Sequence, residues 1–70
     1  MSDRQKELAE LRKARSLLLV LLAASRETRP ALDGAAHILE TDIAADLERI
    51  ADCAEREIRS LNDAIERLEG

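Results

Sequence analysis

His37, with Asp33 four residues before it and Glu40 three after, is the first group in this chain whose types and spacing suit chemistry. On one helix, that i, i+4, i+7 set would present an imidazole and two carboxylates to a metal ion from a single face. Di-metal helical bundles, however, repeat Glu-x-x-His on separate helices, and here a single His-x-x-Glu stands with no second histidine. A solvated helix face is the better reading, and no metal or other cofactor is expected.

Cys53 is the only cysteine. Arg49 and Arg56 lie one helical turn away and would favour a thiolate, but Glu57 opposes them, and a small thiol beside an apolar stripe is ordinary. With the His37 group it makes up a third-ranked reading, a metal-binding or redox helical bundle. A lone cysteine also excludes internal disulfides and cysteine-based metal clusters, which fits a reducing, cytoplasmic setting.

Seven acids, Glu40, Asp42, Asp46, Glu48, Asp52, Glu55 and Glu57, are relieved only by Arg49 and Arg56. Their bland reading is a wet helix face, supported by Asp52 with Arg56, Glu55 with Arg59 and Asp63 with Arg67 in the favourable acid-first i, i+4 order. Their functional reading is a surface that docks a basic, nucleic-acid-handling partner protein. Direct nucleic-acid binding is not expected, because the chain has no aromatic residue to stack on bases and its net charge is -4. The glycine-rich loop, the activated nucleophile and the second histidine that catalysis would use are missing, so no enzyme is expected.

The elements that would carry these groups are helical. Apolar residues form 46% of the chain and are almost all Leu, Ala and Ile; with 37% charged residues and only two Gly and one Pro, this is the composition of a long-helix protein. The spacing predicts a single domain over residues 1–70: a first helix over about 2–26, a turn at 27–30 set by Arg29-Pro30, and a second helix over about 30–69. Ser2 or Asp3 caps the first helix. Gly34 and Thr41-Asp42 offer alternative breaks, but the apolar stripe Leu32, Ala36, Leu39, Ile43, Leu47, Ile50, Ala54, Ile58, Leu61, Ile65, Leu68 keeps its phase across both. A single long helix is therefore preferred.

Charge supports folding the two helices together. Residues 1–29 carry seven Lys/Arg and four Asp/Glu, whereas residues 30–70 carry four Arg and eleven Asp/Glu. Within the first segment, the run from Leu17 to Ala24 is apolar on every side and calls for more than one neighbour. Eight residues are too few to cross a bilayer, so no membrane span is expected. Basic residues ahead of that run imitate a signal peptide, but a long amphipathic segment precedes it where a short basic one belongs.

The expected fold is thus all-α: an antiparallel helical hairpin with an unequal, longer second helix, associating into a four-helix bundle or a coiled-coil dimer. On these lengths the second helix overhangs the first beyond Ala54, leaving Ile58, Leu61, Ile65 and Leu68 as a heptad in need of another chain. The expected function is non-enzymatic association, structural, adaptor or regulatory, with a homodimer favoured. The expected self-association residues are Leu17, Leu18, Leu21, Leu22, Ile50, Ala54, Ile58, Leu61, Ile65 and Leu68. A small acidic inhibitor working through the seven acids is the runner-up.

Overall fold

In a computed structural model, which describes residues 2–70, the chain is an all-helical hairpin. Helix α1 spans Asp3–Gly34, a single 3-10 turn spans Ala36–Ile38, and helix α2 spans Ile43–Glu69. Helix α1 starts on a reciprocal cap: the Ser2 side chain accepts from the Gln5 amide at 3.2 Å while Gln5 accepts from the Ser2 amide at 3.4 Å. Two of the otherwise orphaned donors at the helix start are thereby satisfied.

The turn lies elsewhere than the sequence suggests. Pro30 does not end α1 but sits inside it, one turn before its C-terminus. Proline removes the hydrogen bond to the carbonyl four residues back, that of Arg26, and both residues are exposed, so water can serve that carbonyl. The helix ends at Gly34, where the Ala35 amide closes onto the Ala31 and Leu32 carbonyls. The reversal is made by residues 35–42. Asp42 then caps α2, accepting from the Ala45 amide at 3.1 Å.

This relocation removes the unequal arms. Helices of 32 and 27 residues correspond to about 48 and 40 Å, and they lie side by side in a body 53 Å long. Helix α2 does not overhang. Its last turns meet the beginning of α1: Arg4 donates to the Leu68 carbonyl, Arg12 pairs with Glu69 at 2.9 Å, and Leu8 adjoins Leu68. Ile65 is buried, and Ile58, Leu61 and Leu68 are half-buried. The heptad at the end of α2 packs within the hairpin, so the overhang expected from the sequence is not present.

Small residues let the helices approach. Ala44, Ala54 and Ser25 are buried, and the Ser25 hydroxyl donates back to the Leu21 carbonyl at 2.9 Å instead of facing the seam unpaired. The core is thin: its buried apolar members are Leu22, Ala44, Ala54 and Ile65, and no described side chain is wholly enclosed. No helix among the described residues is long and apolar enough to cross a membrane.

Candidate functional site: two unlike seams

Two helices packed side by side leave two seams, and here the seams differ in chemistry. Along one, Arg12, Arg15, Arg26 and Arg29 of α1 reach Glu69, Asn62, Glu55 and Glu48 of α2. The Arg15–Asn62 and Arg29–Glu48 contacts span 2.9 and 3.2 Å. The basic first segment thus meets the acidic second one through specific pairs. These groups are exposed or half-exposed, so each pair contributes about 0 to 1 kcal/mol; their main effect is to fix the register of α1 against α2.

Among the described residues, the opposite seam has no polar contact from α1 to α2 along its middle. Leu18, Leu21, Ile50, Cys53 and Ala54 line an open groove of about 230 Å³ there, with Arg49 and Glu57 flanking it. Leu17 lies one turn before Leu21 on the same side of α1. Leu17 is 62% exposed, Leu21 43% and Ile50 44%. Covering what remains exposed would add about 0.6 to 2 kcal/mol for each, the uncovered fraction of a full burial.

The ten residues expected to mediate self-association therefore divide into two groups. Leu22, Ala54 and Ile65 are buried in the hairpin's own core, and Leu18, Ile58, Leu61 and Leu68 are half-buried along it. Leu17, Leu21 and Ile50 remain on the surface, joined by Leu19 and Val20, which complete the all-round apolar run. That run has one helical neighbour within the chain, where its pattern calls for more.

The acidic residues are not gathered into one face. Asp42 is occupied as a helix cap, Asp46 pairs with Arg49 in its own helix, and Glu48 and Glu55 pair with Arg29 and Arg26. Glu55 thus turns across the hairpin, where the sequence suggests Arg59. Asp52 and Glu57 project to different sides of α2, and Glu40 lies in the connection before it.

The metal-ligand spacing is likewise broken up. Asp33 belongs to the end of α1, His37 to the 3-10 turn and Glu40 to the bend before α2, so the three share no helix face. No three His, Cys, Asp or Glu side chains among the described residues converge as metal ligands would. Cys53 is a free, exposed thiol, with the Arg56 guanidinium 3.2 Å from its sulfur. What sequence reasoning missed is the difference between the seams. The arginines on one side of α1 and the leucines on the other were readable, but pairing them with α2 needs the position of the turn.

The chain matches no family model, and no curated protein or solved structure is significantly similar to it.

Proposed function

We propose that this chain is a small non-enzymatic association module that works by laying the apolar seam of its hairpin against another helix-bearing protein chain. The observation that carries this reading is the open groove lined by the half-exposed Leu21 and Ile50, with exposed Leu17 one turn before Leu21, on a molecule whose own core is too thin to use them. Short domains of this size commonly gain stability by association. A four-helix bundle with a second hairpin is the simplest way to cover the seam, with a scaffolding or regulatory role following from what is held together. The single cysteine suits a reducing cytoplasm as its setting.

The test compares the full chain with its Leu17→Lys/Leu21→Lys variant, first by sedimentation for self-association and then as immobilised bait with purified candidate partners. Both substitutions fall on exposed positions, so helical content is expected to stay unchanged while association is lost. The reading fails if the variant associates as well as the wild-type chain does, with itself and with every partner the wild type binds.

A further inference from the structure

The flanks of the apolar groove carry a charge pattern that is complementary to itself. Arg49, Cys53 and Glu57 follow one another at four-residue intervals on the outward side of the groove, so the cation and the anion stand one turn to either side of the cysteine. Glu57 makes no ion pair within the chain among the described residues, and Arg49 reaches only its own-helix neighbour Asp46. A two-fold axis at the level of Cys53, perpendicular to the helices, would set Arg49 of one copy against Glu57 of the other, twice over.

The same axis suits α1. Leu21 lines the same groove as Cys53, so with the axis passing by both, each Leu21 would meet its symmetry mate, and Leu17 and Ala24 would flank the contact. The opposite seam holds a smaller hollow of about 140 Å³ whose lining includes Arg26, Arg29, Glu48 and Glu55, the arginines and acids that already pair across it. On α2 the remaining cross-copy neighbours are compatible: counted outward from Cys53, Asp46 meets Ser60 and Asp42 meets Ala64, so no like charges are opposed.

From this self-complementarity we infer that the occupant of the groove is a second copy of the same chain, stacked face to face with α1 antiparallel to α1 and α2 antiparallel to α2. The inference rests on the association reading and adds to it the partner, the axis and the pair that sets orientation. An alternative bundle with its axis along the helices would place α1 over α2 and leave Arg49 without a Glu57 opposite it.

The experiment is a charge-reversal cycle on the full chain, read as the monomer–dimer dissociation constant by sedimentation, with Val20→Lys on the outer side of α1 as a control. Arg49→Glu and Glu57→Arg are each expected to weaken the dimer by about tenfold or more, because symmetry turns one substitution into two like-charge contacts. The Arg49→Glu/Glu57→Arg double variant is expected to recover most of that loss, and Val20→Lys to leave the constant unchanged. A short bis-maleimide is expected to link Cys53 to Cys53 across the axis in wild type and in the double variant, and not after Leu21→Lys. A chain that stays monomeric at every concentration overturns the inference. A dimer in which the double variant is no tighter than the single ones also overturns it, while leaving association through the apolar seam intact.

Discussion

Replacing Ile65 with alanine tests the register of the hairpin more directly than any other single change. Ile65 is 3% exposed, so the substitution withdraws three buried carbon atoms. At about 0.8 kcal/mol per methylene this is about 2.4 kcal/mol of transfer free energy. The cavity left behind adds to it, less than in a large core, since two helices can close on a gap. Alanine's higher helix propensity returns about 0.4 kcal/mol. The net expectation is a loss of about 2 to 3 kcal/mol, or about 10 to 20 °C in melting temperature for a chain this short. Ile38, at 72% exposed in the connection, is the matched control: Ile38→Ala should cost less than about 0.5 kcal/mol. With no aromatic residue in the chain, unfolding is followed by far-ultraviolet circular dichroism in urea, at one protein concentration. If Ile65→Ala proves no more destabilising than Ile38→Ala, α1 does not cover the end of α2 and the hairpin register is wrong.

Other changes probe the turn, the cross-helix pairs and assembly. Pro30→Ala should stabilise the chain by about 1 to 2 kcal/mol in the same urea titration, the restored helical bond to Arg26 outweighing the freer unfolded chain; a destabilised variant would place Pro30 in a turn after all. Asp42→Ala should cost about 1 kcal/mol through loss of the α2 cap and fray residues 43–46, measurable by amide exchange. A double-mutant cycle on Arg26 and Glu55 should return less than about 1 kcal/mol and shrink with added salt. If a second copy covers the seam, each tenfold dilution should lower dimer stability by about 1.4 kcal/mol, seen as a concentration-dependent melting temperature.

Helix identity and the cap at Ser2 were readable because they depend on neighbours in sequence, within one or two turns. The position of the reversal was not, for two physical reasons. Proline has a high cost in the middle of a helix, but Pro30 lies one turn from the end of α1, and Arg26, whose carbonyl it leaves unbonded, is exposed. The apolar stripe reports burial and not chain direction. Leu39 in the connection and Ile43 at the start of α2 keep a helical step of four across a break where the chain turns back, yet it is the neighbouring Ala44, outside the stripe, that is buried. Moving the reversal from residues 27–30 to 35–42 then lengthens one arm and shortens the other, and the predicted overhang disappears.

The case for a docking surface changes with it. An overhang would have exposed Ile58, Leu61, Ile65 and Leu68, but the hairpin itself covers them; the apolar groove lies midway along the body, lined by Leu21 and Ile50, while Ile38 and Ile43 are exposed singly at the connection end. A central patch suits side-by-side association of two hairpins, whereas a terminal one would suit end-to-end extension into a coiled coil. The polar seam contributes to this selectivity. By using the arginines of α1 on the acids of α2, it fixes which side of the hairpin stays apolar, so weakening those pairs should loosen the presentation of the groove as well as the register of the helices.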